Sequence, residues 1–166
     1  MTITADENVA PKQGEYRTAL DLSRSDPQEL YQARELLRKA HKNGDERATY
    51  ALASWYLHGN DITEKNEEAG FAMLREIENS FIAEAIFDLA FAYDCGKCVE
   101  VDDLKAFSLY MRAALLGSQG ACSQVSQYYS EGATIPHDPA LAEAWQTRAE
   151  QEERAISPPY RLWLDD

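Results

Sequence analysis

A chain whose apolar pattern returns at a fixed interval of 36 or 37 residues is committed to stacking copies of one supersecondary unit. A unit of that length cannot bury its own apolar face. The interval is explicit here. Ala48, Leu52, Tyr56 and Gly59 recur as Ala85, Leu89, Tyr93 and Gly96, and again as Ala121, Val125, Tyr129 and Gly132. The segments between them keep a second register, in which Ala33, Ala69, Ala106 and Ala142 follow the same spacing. Three residues after each of these alanines stand Leu36, Ala72, Leu109 and Trp145, and six after stand Lys39, Arg75, Arg112 and Arg148. Two registers sharing one period define a repeat rather than a coincidence.

Within a unit, Ala48, Leu52, Trp55 and Tyr56 occupy i, i+4, i+7 and i+8, which makes one face of a helix apolar. Asp45, Glu46 and Arg47 open that helix, and Gly59, Gly96 and Gly132 end its copies, because glycine accepts the left-handed conformation that follows a helix C-terminus without a Cβ clash. Each unit is therefore read as a helix pair. The small residues at Ala48, Ala53 and Ala69 let two helices approach closely while larger side chains fill the adjacent grooves. A bulky residue at such a site is expected to overpack the core at about 1–3 kcal/mol.

With these residues the chain resembles the Sel-one-like repeat (SLR) family, relatives of the tetratricopeptide repeats. The stretch Ala85 to Gly117 follows the pattern best, through Leu89, Ala90, Tyr93, Gly96, Ala106, Leu109, Tyr110, Arg112, Ala113, Ala114 and Gly117. Ala53, Ala90 and Ser126 replace the pattern's first glycine, Met73 and Gln146 replace a tyrosine, and Glu76 interrupts the alanine pair. The resemblance implies an all-α fold, an α/α superhelix (solenoid) of about four antiparallel helix pairs. Tyr16 and Leu20, one period before Leu52 and Tyr56, predict an opening helix over about 14–23. The expected organisation is a flexible segment over 1–13, the helical repeats over 14–153 and a tail over 154–166. The tail from Ile156 to Asp166 has Pro158 and Pro159 to force an extended path, and Tyr160, Leu162, Trp163 and Leu164 with area to bury. Capping the last repeat is one reading of it; a docking peptide for another protein is the other.

At 166 residues, 45% apolar and 10% aromatic, the chain has material for one fully cored domain. Its net charge is −13 and its pI about 4.6, a balance that repels phosphate backbones and anionic membrane surfaces. Neither nucleic acid nor membrane is an expected partner. Such a surface accelerates encounter with a basic protein; the plainer reading is a well-solvated exterior. Residues 1–14 contain no apolar run of the kind that begins a secretory signal, and no later stretch reaches membrane-spanning length. Cys95, Cys98 and Cys122 are too few for a disulfide scaffold and suit a reducing compartment, so a cytoplasmic protein is expected.

Cys95 and Cys98 have C-x-x-C spacing, which zinc knuckles and thiol redox sites share. No second such pair or histidine pair completes a zinc site, and the motif straddles a predicted helix end, where the dipole does not lower a thiol pKa. A structural role is favoured over redox sensing or metal binding. Some relatives in the family staple each repeat with a disulfide, an arrangement that needs matching cysteines; Cys122 has no such mate and reads as a small buried hydrophobe. His41, His58 and His137 fall on three different elements outside any nucleophile, zinc-hydrolase or phosphate-binding motif. The acidic pairs Glu67-Glu68 and Asp102-Asp103 suit helix N-termini. No catalytic residue, metal ligand or cofactor is expected.

In the arrangement that the resemblance implies, the first helix of each pair, near 45–58, 82–95 and 119–131, lines the inner wall. Its variable positions are Arg47, Ser54, Leu57, Glu84, Phe91, Asp94, Gln127 and Ser130, the expected contacts for a protein or peptide partner. Phe87 and Phe91 lie four apart on one helical face, so Phe91 is either an aromatic anchor flanked by Glu84 and Asp94 or, with Phe87, part of the core. The expected function is non-enzymatic protein binding. Two finer readings are open: an acidic cytosolic immunity protein that masks a basic bacterial toxin or effector, and a general adaptor in signalling or secretion. An enzyme with an unrecognised site has least support.

Overall fold

In the computed structural model, residues 12–24 and 27–151 are described. Among these residues there are eight α-helices and no β-strand: α1 (Lys12–Ser23), α2 (Leu30–Lys42), α3 (Glu46–His58), α4 (Glu67–Glu76), α5 (Ala83–Cys95), α6 (Asp103–Leu115), α7 (Gln119–Glu131) and α8 (Pro139–Ala149). The expected opening helix is present as α1, and the expected first helices are present as α3, α5 and α7. The tail to which capping or docking was assigned lies outside the described residues, as does most of the segment 1–13.

Local chemistry sets the helix boundaries. Asp45, Asn66, Asp102, Ser118 and Asp138 each accept hydrogen bonds from backbone N–H groups of the turn they open, at 2.9–3.2 Å. Such a cap satisfies donors that a helix cannot satisfy itself, and its loss costs about 0.5–2 kcal/mol. At the other end, Gly96 and Gly132 adopt left-handed conformations with φ of 68° and 65°. Gly59 also has positive φ, 73°, but its extended ψ of 165° departs from the left-handed cap expected there.

The capping residues do a second job. The N–H of Asn66 donates to the Tyr56 carbonyl at 2.7 Å, that of Asp102 to Tyr93 at 3.0 Å and that of Asp138 to Tyr129 at 3.1 Å. One backbone latch thus joins the two helices of each of these pairs, and its positions keep the repeat interval.

The first unit runs to Ile77 and contains α1–α4. Its core gathers Ala19, Ala33, Leu37, Ala40, Ala48 and Leu52, with Tyr16, Leu36, Trp55 and Met73 packed around them. Arg34 reaches from α2 to the Ile62 carbonyl at 3.0 Å and ties down the turn in which Asn60 and Thr63 pair. In the short helix α4, Gly70 lies directly beneath Leu57: a Cβ there would stand 2.6 Å from the Leu57 Cγ and 3.1 Å from the Ala53 carbonyl oxygen.

The second unit starts at Glu78 and contains α5–α8. Ile86, Leu89 and Ala90 of α5 are buried with Ala106, Leu109, Tyr110 and Ala113 of α6 and with Ala121, Cys122 and Val125 of α7. Each large aliphatic side chain buried in this way contributes about 1.5–3 kcal/mol. The recurring alanines are core residues, except that Ala69 is only half-buried. Where the family pattern places glycine, Ala53, Ala90 and Ser126 are buried, and the Ser126 hydroxyl donates to the Ala142 carbonyl at 2.7 Å across the α7–α8 contact.

Candidate partner-binding surface

The positions singled out on the first helices have three different fates. Two are structural. Arg47 doubles back to Asp45, with its Nη2 2.9 Å from Oδ2 and its Nε 3.1 Å from Oδ1, and its guanidinium lies over the Tyr16 ring at 4.8 Å. Leu57 is 8% exposed and fills the space above Gly70, so in this conformation it belongs to the α3–α4 packing and offers little surface to a partner.

Two others serve both structure and surface. Asp94 accepts hydrogen bonds from the hydroxyls of Tyr110, at 3.3 Å, and Tyr128, at 2.8 Å, and so joins α5 to both α6 and α7. Phe87, Phe107 and Tyr129 complete this aromatic cluster with ring centroids 5.5–6.2 Å apart. Burial in the cluster, reinforced by the Asp94 carboxylate, holds both hydroxyls well above the usual tyrosine range. Ser130 keeps an exposed position while donating to the Ser126 carbonyl at 3.0 Å.

The remaining positions face solvent wholly or in part. Ser54 is half-buried at the rim of a shallow cavity of about 370 Å³ with Ser23, Trp55, His58 and Asp61. Glu84, Phe91 and Gln127 are exposed, and Gln127 donates to the Glu131 carboxylate at 2.7 Å. Phe91 has 40% of its surface exposed, and the Lys97 ammonium stands 5.3 Å from its ring centroid. Phe87, four residues earlier, is half-buried against Tyr110 and Gly120. The two phenylalanines therefore divide the roles that the sequence left open: Phe87 packs, and Phe91 presents an aromatic face.

Ser130 also borders an open cleft of about 410 Å³ between α7 and α8, lined with His137, Glu143 and Gln146. Repeat spacing makes Ser130, Glu143 and Gln146 the counterparts of Asp94, Phe107 and Tyr110, the side chains that receive α7 in the preceding repeat. The last repeat thus has a serine, a glutamate and a glutamine where the preceding one has an aspartate, a phenylalanine and a tyrosine.

Among the groups with catalytic potential, some are engaged in packing and others are exposed. The His41 Nδ1 lies 2.8 Å from the hydroxyl of Thr49, which is buried and donates to the Asp45 carbonyl. Cys95 and Cys98 are free and exposed, whereas Cys122 is buried and burial pushes its thiol pKa up. Among the described residues, no group of histidine, cysteine, aspartate or glutamate side chains is arranged to hold a metal ion, and no helix is long and apolar enough to cross a membrane.

Paired helices, latched alike and returning at a fixed interval, define a helix-pair repeat protein of the α/α type. The Sel1 repeat matches residues 15–45, 47–76, 83–118 and 120–150, one match for each of the pairs α1–α2, α3–α4, α5–α6 and α7–α8. The chain belongs to the Sel1 repeat family, whose repeats are protein–protein interaction modules.

Solved structures agree on the fold. The chain is similar to a Sel1 repeat protein from Oxalobacter formigenes, at 27% identity and a TM-score of 0.63, over 69% of this chain and 87% of that one. It is similar to c5321, a protective antigen present in uropathogenic Escherichia coli strains and displaying an SLR fold, at 20% identity and a TM-score of 0.56, over 88% of this chain and 39% of the other. It is similar also to the immunity protein Pa5087 from Pseudomonas aeruginosa, at 19% identity and a TM-score of 0.59, over 89% of this chain and 54% of that one. No curated protein is significantly similar in sequence.

Proposed function

We propose that this chain is a non-enzymatic binding protein that captures a basic protein through its repeat surface, and that it acts in the cytosol as an immunity protein against a basic bacterial toxin. The observation that carries the reading is the net charge of −13 on a fold built from protein-binding repeats. Like charge turns away nucleic acids and acidic proteins, while opposite charge steers a basic partner into encounter. Exposed Glu84 and Phe91 supply the two contact types that such a partner needs, an anion and an aromatic face. The likeness to a Pseudomonas immunity protein supports the finer assignment.

The test is capture of partners from the native cells with the tagged chain, followed by assay of the captured protein alone and in complex. A basic protein whose toxicity is silenced in the complex is the expected result. An acidic or neutral partner held equally well in high salt would make the chain an adaptor instead. Within that assay, Phe91→Ala is expected to weaken binding about tenfold or more while leaving the thermal unfolding midpoint nearly unchanged. A collapse of the midpoint would assign Phe91 to the core.

A further inference from the structure

We infer that the outward face of α6, together with the turn that leads into it, is the surface on which a basic amphipathic helix of the partner docks; the inference rests on the basic-partner reading above. Leu104, Met111 and Leu115 project from α6 within an arc of about 40°, given the 100° turn per residue of a helix. That arc lies opposite Ala106, Leu109, Tyr110 and Ala113, the residues α6 buries. Leu104 is 64% and Leu115 59% exposed, and Val101, two residues before the helix, is 60% exposed. Scattered exposed aliphatic residues need no explanation, but a row on the side of a helix opposite its core is not accounted for by packing among the described residues.

The row has the geometry and charge of a helix seat. With Ser108 it runs at spacings of four, three and four, the seam along which one helix packs on another, and extends about 16 Å at 1.5 Å per residue. Exposed Glu100, Asp102 and Asp103 surround its N-terminal end. The cations along its flank are already engaged: the Lys105 Nζ lies 3.3 Å from Glu78, and Arg112 donates to the backbone carbonyls of Glu78 and Ser80. A second copy of this chain would oppose acid to acid at a net charge of −13 each. A cationic helix with leucines along one face satisfies both the row and the acids at its end.

The experiment uses two 18-residue peptides of the same leucine, lysine and alanine composition, one with its leucines in a row at i, i+4, i+7 and i+11, the other scrambled. Each is titrated into the full chain, with affinity read by fluorescence anisotropy and location by amide NMR shifts. The patterned peptide is expected to bind about tenfold more tightly than the scrambled one, with shifts centred on residues 100–115. Leu104→Ser with Leu115→Ser should remove that advantage while the far-UV melt is retained, and Glu100→Lys should weaken binding further in low salt than in high. Equal binding of both peptides, or shifts centred on Phe91 and Gln127, would overturn the inference. So would a serine double variant that melts as wild type and binds undiminished. If the chain captures a basic toxin from cells but ignores the patterned peptide, this surface assignment fails and the proposed function stands. If the peptide binds as described but no basic partner exists, the reverse holds.

Discussion

Asp94 shows how much a single side chain can decide. It sits one period after Leu57 and one before Ser130, so the same place in three successive repeats holds an aliphatic, an anion and a hydroxyl. The anion offers two oxygens and takes a tyrosine hydroxyl on each. Asp94→Ala leaves Tyr110, whose side chain is fully buried, without its acceptor, and is expected to cost about 1–3 kcal/mol in urea or thermal unfolding. Preserved stability in that variant would mean that the cluster is held by ring packing alone. The same geometry predicts a pH response. Because both hydroxyls titrate above their unfolded value of about 10, the unfolded chain releases these protons first as pH rises, and stability falls above about pH 10. Each tyrosine can contribute up to about 1.4 kcal/mol per pH unit there, so Tyr128→Phe should give a shallower alkaline slope. An unchanged slope would show that Tyr128 does not titrate differently in the two states. The sequence placed Asp94 on a helix face but hid its role, because its donors lie 16 and 34 residues away and only the packed structure brings them together.

At the scale of the helix, the repeat arithmetic located the elements well, because period, small-residue register and terminal glycine are all local or regularly spaced signals. α3, α5 and α7 lie within a residue or so of their expected ranges. The latch at Asn66, Asp102 and Asp138 was legible in principle, since those residues keep the 36-residue spacing and are strong helix caps, yet they do not fall in the apolar registers and escape a search made on hydrophobic pattern. Leu57 escaped for the opposite reason. Its burial depends on a residue 13 positions away, Gly70, whose lack of a side chain leaves the space that Leu57 fills. That pairing is testable. Gly70→Ala gains up to about 1 kcal/mol of helix propensity but pushes a methyl into Leu57 and the Ala53 carbonyl, and a net loss of about 1–3 kcal/mol is expected. Combining it with Leu57→Ala should cost less than the sum of the two single changes, because the smaller side chain makes room. Additive losses would show that the two residues do not share a contact.

For the molecule, the repeats supply the scaffold and the charge supplies the direction of the functional argument. Fold class was fully legible, since four Sel1 repeats are spelled out by their spacing and confirmed by the helix pairs that form. The proposed binding surface was legible only in part. Helical phase put Phe91 on the face of Phe87 without deciding whether it packs, and it did not reveal the row on α6, because leucines at 104 and 115 look like core until the buried face of that helix is known. The charge argument makes a quantitative demand on the partner. Measured by calorimetry on the captured partner across about 50–500 mM salt, affinity should fall steeply and continuously as screening shortens the reach of the acidic surface. A partner whose affinity stays flat over that range, or one that is itself acidic, would contradict the account.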